Sequence, residues 1–200
     1  MSSLTRIVVW SNELVREVLR PGDLAVDLTA GKGHDTLALA TAVGQTGQVV
    51  SFDTQAVALE QTAALLQQHG YTVKKWSGDR EITAGNEIVL VQTCHSTLRE
   101  ILSRPARAVL ANLGYLPGGD RRLITRPEST LPALAQSLDL LSIGGRLAVT
   151  VYPAHPGGMK EAQMIDDFFA TLSSDLWQVL SLRVANSSEA PYLLVAERRR

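Results

Sequence analysis

Cysteine is almost absent from this sequence of 200 residues, which contains only Cys94. A single cysteine excludes an internal disulfide framework and a cysteine-rich metal site, so a reducing compartment fits best. Long apolar runs are missing as well: no stretch approaches the roughly 18 apolar residues of a membrane span, and no apolar segment follows basic residues at the N-terminus. We therefore expect a soluble protein with no membrane partner, either cytoplasmic or in an organelle after removal of a transit peptide.

An excess of charge of one sign is also missing, because 19 Lys and Arg residues stand against 20 Asp and Glu residues. No global field would draw this chain onto a polyanion, although a local basic surface is compatible with nucleic-acid binding. The three arginines at 198–200 are such a surface or, alternatively, a solvated tail. With 45% hydrophobic residues and only eight prolines, residues 1–200 are predicted to form one domain with a substantial core.

Short apolar runs, typical of strands, alternate along the chain with segments whose apolar residues recur at helical spacing. Strands are predicted at residues 24–28, 48–52, 87–92, 106–111, 146–152, 177–184 and 192–197. Helices are predicted at 12–19, 35–42, 55–69, 96–102, 131–141 and 161–172. The polar segment 71–86 is less regular and is interpreted as a short strand at 71–76 followed by a turn-rich loop.

This alternation predicts βαβ units and hence an α/β fold with a mostly parallel seven-stranded sheet and helices on both faces. No helical pattern separates the last two strands, which predicts a C-terminal antiparallel hairpin. That ending is typical of the Rossmann-like class I methyltransferase fold and distinguishes it from dinucleotide-binding folds.

A glycine loop follows the first predicted strand, which carries Asp27 near its end. Ligands of open α/β sheets bind beyond the carboxyl ends of the strands, and Gly31 and Gly33 would let the backbone turn tightly and approach a ligand closely. The third glycine of the dinucleotide fingerprint is missing, and His34 and Asp35 stand where a diphosphate needs positive potential. A carboxylate there favours a cationic aminocarboxylate tail.

Asp53 ends the second predicted strand, where an acidic side chain can bind the two hydroxyls of a ribose. The loop and this acid together predict an adenosine pocket with S-adenosylmethionine as the cofactor. NAD or another nucleotide is an alternative, and so is an ordinary turn in which Asp53 caps the next helix. No pair of histidines has metal-ligand spacing with a third donor, so no metal site is predicted.

Three segments carry a more specific resemblance: DLTAGKGHDT at 27–36, NLGYLPGGD at 112–120 and YPAHPGG at 152–158. They resemble the YtqB/MnmM family of class I S-adenosylmethionine-dependent methyltransferases, once labelled rRNA methylases. Members of that family methylate the aminomethyl group of the tRNA wobble uridine, which gives 5-methylaminomethyl-2-thiouridine. The resemblance runs through almost the whole chain and implies a tRNA methyltransferase that binds the anticodon loop.

The resemblance also implies the site residues. Those expected on the cofactor side, with His95 bordering adenine, are Asp27, Thr29, Gly31, Gly33, His34, Asp35, Thr36, Asp53, Gln55, His95, Asn112 and Gly114. Those expected to be catalytic are Asn112, Tyr115, Asp120 and His155. Many class I enzymes that act on amino groups carry an (N/D)PP(Y/F) tetrapeptide where this chain has Asn112 to Tyr115. The parallel implies that a main-chain carbonyl and the Asn112 side chain hold the amine while Tyr115 packs on the base.

His155 is the candidate proton acceptor, and Asp120 is a candidate for orienting the amine or the base edge. The sequence departs from the family at Lys32, where Asn is common, at Asn12, where His is usual, and at 152–154, where Tyr-His-Gly is frequent. Segment 71–86 looks like an insertion relative to short bacterial members.

Other interpretations stay open. Asn112 to Gly114 can be a simple turn, and His155 can be a surface residue of a proline- and glycine-rich loop. The methyl acceptor can be rRNA, a small molecule or a protein side chain, and a non-catalytic adenosine-binding or RNA-chaperoning module is a further alternative. The near-neutral chain predicts weak to moderate tRNA binding, with Arg121, Arg122 and Arg126 as candidate phosphate contacts. The sequence leaves a monomer and a homodimer open.

Overall fold

The structure, a computed structural model, describes residues 6–116, 118, 123–154 and 157–200. Its strands are β1 (Leu24–Asp27), β2 (Gln48–Asp53), β3 (Val73–Lys75), β4 (Ile88–Gln92), β5 (Ala106–Asn112), β6 (Leu141–Val151), β7 (Trp177–Leu182) and β8 (Tyr192–Arg198). Its helices are α1 (Ile7–Arg16), α2 (His34–Val43), α3 (Ala56–Gln68), α4 (Leu98–Ile101), α5 (Pro127–Leu140) and α6 (Gly158–Ala170). A 3-10 turn, His95–Thr97, leads into α4.

All eight strands belong to one sheet, in the order β3-β4-β2-β1-β5-β6-β8-β7. The pairs from β3 to β6 are parallel, and β8 runs antiparallel to both β6 and β7. The prediction of a mostly parallel sheet that ends in an antiparallel hairpin is therefore confirmed. The short strand expected within 71–86 is an eighth strand, which pairs with β4 at the edge of the sheet.

The sheet is covered by helices on both faces, which explains why its central strands read as continuous apolar runs. Val26, Val50 and Val109 point into a core cluster with α5 and α6. Their chain neighbours Ala25 and Val49 point to the other face, into a cluster that includes residues of α1, α2 and α3. No helix in the described part of the chain is long and apolar enough to cross a bilayer.

The first helix begins earlier than predicted, because Ile7, Ser11 and Val15 already form its buried face at four-residue spacing. Strand β6 also begins earlier, at Leu141 rather than at residue 146. The pair Gly144-Gly145, which precedes the predicted strand, lies inside this strand at a register shift. A Cβ on Gly145 would lie 2.9 Å from the Arg107 carbonyl oxygen, so the glycine permits the close approach of two strands.

Candidate active site

The candidate site lies at the carboxyl edge of the sheet, where β1 and β5 are neighbours. From β1 the chain first adds β2, β3 and β4 on one side, and it then returns to add β5 on the other side. The strand order therefore reverses between β1 and β5, and such a reversal opens a crevice between the following loops. Asp27 ends β1 and Asn112 ends β5, so both predicted residues border this crevice.

Asp27 is fully buried beneath the glycine loop. Its Oδ1 accepts the main-chain N–H of Thr29 at 2.9 Å, and its Oδ2 lies 2.6 Å from the hydroxyl oxygen of Thr36. The Thr36 hydroxyl also lies 2.9 Å from Oγ of Ser51. Burial, together with the nearby Asp35 carboxylate, raises the pKa of Asp27 to about 7. Asp27 therefore supports the loop from below and titrates near neutral pH.

Asp53 connects the glycine loop to the end of β2. Its Oδ2 accepts the N–H of Gly31 at 3.0 Å, and its Oδ1 accepts the N–H of Gln55 at 2.9 Å. Gly33 completes the loop with a φ of +84°, and a Cβ there would lie 2.8 Å from the Cα of Thr62. Only glycine fits a position that combines a left-handed backbone with such close packing.

His95 follows β4 and reaches across to Leu28, which follows β1. Its Nδ1 is 3.2 Å from the carbonyl oxygen of Leu28, and the contact requires Nδ1 to carry the proton. Its Nε2 is buried and has no hydrogen-bond partner among the described residues. Burial lowers the pKa of His95, so the ring is neutral and Nε2 is an acceptor.

Asp35, in the first turn of α2, joins two asparagines. Its Oδ1 is 2.8 Å from Nδ2 of Asn12 in α1, and its Oδ2 is 3.2 Å from Nδ2 of Asn112. An ionised carboxylate only accepts hydrogen bonds, so both amides must turn their nitrogen toward Asp35. The main-chain N–H of Asn112 also donates to Oγ1 of Thr29 at 2.8 Å. The side chain and the backbone of Asn112 are therefore both fixed against the glycine loop.

Tyr152 follows β6 and completes this group. Burial of its phenol, together with the Asp35 carboxylate, raises the pKa of Tyr152 above its usual value. The phenol is consequently neutral at physiological pH.

Residues 113–115 and 124–125 lie side by side and form a narrow two-stranded strap. The N–H of Leu113 donates to the carbonyl of Thr150 at 3.0 Å. Gly114 contacts Thr125 through its N–H and its carbonyl, and Tyr115 forms an antiparallel bridge with Ile124. Tyr115 is 43% exposed at this edge, so its ring is accessible to a base.

The structure thus brings most of the predicted residues together at one edge of the sheet. The predicted residues found there are Asp27, Thr29, Gly31, Gly33, His34, Asp35, Asp53, Gln55, His95, Asn112, Gly114 and Tyr115. Thr36 is fully buried beneath the loop. Asp120 and His155 lie outside the described residues, as do Arg121 and Arg122. The roles assigned to all these residues stay predictions.

Thr125 and Glu161 are among the residues of this region that were not predicted from the sequence. Glu161 is 2% exposed, and its carboxylate accepts the Thr125 hydroxyl. The signal was available in α6, because Glu161, Ile165 and Phe169 follow one another at four-residue spacing and share the buried face. An acidic residue in line with an apolar stripe indicates a buried carboxylate with a specific partner.

Among the described residues, no group of three or more His, Cys, Asp or Glu side chains is arranged to hold a metal ion. A surface depression lies between α6 and β7, lined by residues that include Phe169, Trp177, Val179 and Arg183. It shares no residue with the candidate site.

Comparison with protein families gives a match over residues 49–198 to the family described as "Putative rRNA methylase". A relative from Arabidopsis thaliana, named "tRNA (mnm(5)s(2)U34)-methyltransferase, chloroplastic", is 35% identical over 194 residues. That alignment covers 94% of this chain and 65% of the relative, so the chain spans less than two thirds of the relative's length.

Two crystal structures resemble nearly the whole chain. One, a "putative rRNA-methylase" from Clostridium thermocellum, has a TM-score of 0.86 at 29% identity and covers 96% of this chain and 97% of its own. The other, a "putative methyltransferase" from Streptococcus mutans in complex with SAH, has a TM-score of 0.80 at 31% identity and covers 96% and 98%.

Proposed function

Because the chain belongs to the family described as "Putative rRNA methylase", we propose that it is an S-adenosylmethionine-dependent enzyme that methylates the wobble uridine of tRNA. The acceptor is the aminomethyl nitrogen of 5-aminomethyl-2-thiouridine, and the product is 5-methylaminomethyl-2-thiouridine. The family match confirms the resemblance inferred from the motifs, and the two crystal structures confirm the predicted class I methyltransferase fold. The name of the Arabidopsis relative supports tRNA as the substrate.

The side chains at the carboxyl edge fit S-adenosylmethionine. The carboxylates of Asp35 and Asp53 lie near enough to Asp27 to raise its pKa. Three acidic groups therefore share this edge and favour a ligand that carries positive charge. The buried Nε2 of His95 is an acceptor that suits the amino group of adenine. Asp53 uses each oxygen for one main-chain N–H, and a carboxylate has further lone pairs for two ribose hydroxyls. When bound, the cofactor supplies an electrophilic methyl group on a positively charged sulfur.

The observation that carries the proposal is the fixed orientation of Asn112. Since Nδ2 of Asn112 faces Asp35, Oδ1 is turned away from that carboxylate and can accept an N–H of the substrate amine. The carbonyl of Gly114 already accepts the N–H of Thr125 at 2.9 Å, which makes the Leu113 carbonyl the better second acceptor. Two acceptors aim the lone pair of the amine nitrogen, and such positioning supplies much of the catalysis in a transfer that needs no protein nucleophile.

An alkyl amine with a pKa near 10 is mostly protonated at neutral pH, so the enzyme must bind or generate its neutral form. In the proposed reaction the amine nitrogen forms the new N–C bond as the C–S bond of the cofactor breaks. One proton then leaves the nitrogen, either to solvent or to His155, the predicted acceptor. Tyr115 would stack on the uracil ring, which is accessible because the wobble base lies in a single-stranded loop.

The direct test is transfer of labelled methyl from S-adenosylmethionine to bulk tRNA from a host that lacks wobble-uridine methylation, followed by mass analysis of nucleosides. We expect the 5-methylaminomethyl nucleoside with the wild type and a loss of at least about tenfold with Asn112→Ala, since one charge-oriented amide is removed. Asn86→Ala is the matched control, because Asn86 is an exposed asparagine near the start of β4, at the edge of the sheet opposite the candidate site.

Other results would change the assignment in defined ways. Labelled rRNA, protein or small molecule with unlabelled tRNA would replace the acceptor and keep the enzyme class. Binding of S-adenosylmethionine without transfer to any of these would favour a non-catalytic module.

For the compartment we propose the cytoplasm, with an organelle as the alternative that the chloroplastic relative supports. The homodimer stays a prediction, which light scattering over a range of protein concentrations would test. Weak to moderate affinity for the anticodon loop also stays a prediction, and a binding titration at two salt concentrations would measure it.

A further inference from the structure

A buried carboxylate lies directly behind the strap that carries the proposed amine-holding residues. Glu161, in the first turn of α6, is 2% exposed. Its Oε2 is 3.0 Å from the hydroxyl oxygen of Thr125, and its Oε1 is 2.7 Å from the hydroxyl oxygen of Thr130 in α5. The carboxylate therefore joins α5 and α6 to the base of the strap.

Thr125 connects Glu161 to the loop Asn112–Tyr115. Its Oγ1 accepts the N–H of Gly114 at 2.9 Å, and its own N–H donates to the Gly114 carbonyl at 2.9 Å. Gly114 has a φ of +123°, a conformation that side-chain-bearing residues rarely adopt. At Gly114 the unusual backbone conformation is therefore held by Thr125, and the Thr125 hydroxyl is in turn held by Glu161.

The direction of these hydrogen bonds explains why a carboxylate is needed. A threonine hydroxyl has one proton to donate, and it rotates to suit its surroundings. Glu161 can only accept, so it draws the Thr125 proton toward α6 and leaves a lone pair of Oγ1 for the N–H of Gly114. A neutral amide in place of the carboxylate could donate to Oγ1 and would compete with Gly114.

Burying a carboxylate costs free energy unless it is well hydrogen-bonded. Two hydroxyl donors and the N-terminal end of α6 offset that cost for Glu161. Residues of the same helix face, such as Ile165 and Phe169, are apolar, and a leucine at 161 would satisfy packing alone. The carboxylate therefore has a purpose other than filling the core.

We propose that Glu161 is a positioning residue that sets the conformation of the Asn112–Tyr115 loop through Thr125, and so aims the acceptors for the substrate amine. The proposal rests on the proposed function for its catalytic consequence. In this role Glu161 acts through Thr125 and not by contact with the reacting atoms.

The test compares two threonines that contact the same carboxylate. Thr125→Val removes the hydroxyl that links Glu161 to Gly114, whereas Thr130→Val removes a hydroxyl of equal type with no link to the loop. We expect Thr125→Val to lower kcat at least about tenfold, the scale of a small misplacement of reacting groups. Cofactor affinity should stay within about twofold in both variants, and Thr130→Val should keep kcat within about threefold.

Conservative variants complete the series. Thr125→Ser restores the hydroxyl and should recover most of kcat, and Glu161→Gln should fall between Thr125→Val and the wild type. If the two valine variants lose kcat equally, in proportion to their loss of thermal stability, Glu161 is a structural residue only and the proposal is wrong.

Hydrogen exchange of the Gly114 amide gives a second readout that needs no substrate. We expect this amide to exchange at least about tenfold faster in Thr125→Val and in Glu161→Gln than in Thr130→Val, since its acceptor is lost or loosened. Equal exchange in all variants would overturn the proposed positioning role of Glu161 even if the wild type methylates tRNA. If the wild type labels no RNA, the proposed function fails while the exchange data still decide whether Glu161 holds the loop.

Discussion

Nδ2 of Asn112 lies 3.2 Å from Oδ2 of Asp35, so a carboxylate of the glycine-loop helix sets the amide orientation of a residue 77 positions away in sequence. Asp35 was predicted as a cofactor residue, and its position in α2 agrees with that side of the crevice. Its contact with Asn112 connects the cofactor side to the acceptor side. A substitution at Asp35 should therefore affect both cofactor binding and the acceptor amine.

Asp35→Asn should lower kcat at saturating cofactor by about tenfold to a hundredfold. The asparagine would present an NH2 group to one of the two amides, and the charge-assisted hydrogen bond to Asn112, worth about 1.5–3 kcal/mol, would be lost. Steady-state kinetics together with calorimetric titration of the cofactor would separate kcat from affinity. Asn12→Ala is the control, because it removes the second partner of Asp35 and leaves the bond to Asn112. An unchanged kcat in Asp35→Asn would mean that Asn112 does not depend on Asp35.

Much of the fold was predictable because its signals are local. The buried runs of β1, β2 and β4, the glycine loop and the absence of a helix between the last two strands all follow from neighbouring residues. The start of β6 was predicted at residue 146, after the pair Gly144-Gly145, because a glycine pair is typical of a turn. Only the close approach of the Arg107 carbonyl to Gly145 explains why the pair lies within a strand.

The sequence predicted which site residues lie at the ends of the strands, but it predicted few of the hydrogen bonds between them. Asp27, Asp53 and Asn112 end strands that are adjacent in any sheet of this order. The hydrogen bonds from Asn12 to Asp35 and from Thr125 to Glu161 join residues of different elements. Such pairs depend on how helices are packed and rotated against the sheet, which periodicity alone does not specify.

Asp27 should make the stability of the cofactor-free protein fall as pH rises toward neutral. Its pKa is about 7 in the folded protein, against an ordinary value of 3.8. Between these two values the folded state holds one more proton than the unfolded state, so the free energy of unfolding decreases with rising pH in that window and levels off above about 7. The limiting slope for one proton is about 1.4 kcal/mol per pH unit.

Urea denaturation of the wild type and of Asp27→Asn at pH 5, 6, 7 and 8 would measure this effect. The asparagine can still accept the Thr29 N–H and donate to Thr36, so it removes the titration with little change in shape. We expect the stability difference between the two proteins to move in favour of the variant as pH rises to about 7. A difference that is independent of pH would show that Asp27 has the same pKa folded and unfolded.

His95→Phe should weaken cofactor binding by about fivefold to tenfold. The phenyl ring keeps most of the volume and removes the buried Nε2 acceptor, and a neutral hydrogen bond is worth about 1 kcal/mol. Calorimetric titration with SAH would measure the change. His69→Phe is the control, because His69 makes a similar ring-to-carbonyl contact on the exposed end of α3. Equal affinities in both variants would remove His95 from the adenine pocket.

Gly33→Ala should destabilise the protein more than Gly70→Ala, although the two glycines have nearly the same backbone conformation. Their φ angles are +84° and +80°, so each alanine carries a similar left-handed strain of about 1–2 kcal/mol. A Cβ at Gly33 would lie 2.8 Å from Cα of Thr62, whereas no described atom lies within 4 Å of a Cβ at Gly70. Overpacking against backbone adds about 1–3 kcal/mol at Gly33 alone.

Chemical denaturation of both variants would give the two stabilities, and titration with SAH would report on the loop. Because Gly33 separates the Gly31 amide from the start of α2, the shift needed to relieve the Thr62 contact must move the segment that Asp53 holds through that amide. Gly33→Ala should therefore lose cofactor affinity in addition to stability, while Gly70→Ala loses stability only. If both variants bind SAH like the wild type, the glycine loop tolerates displacement and its close packing on α3 serves the fold rather than the cofactor.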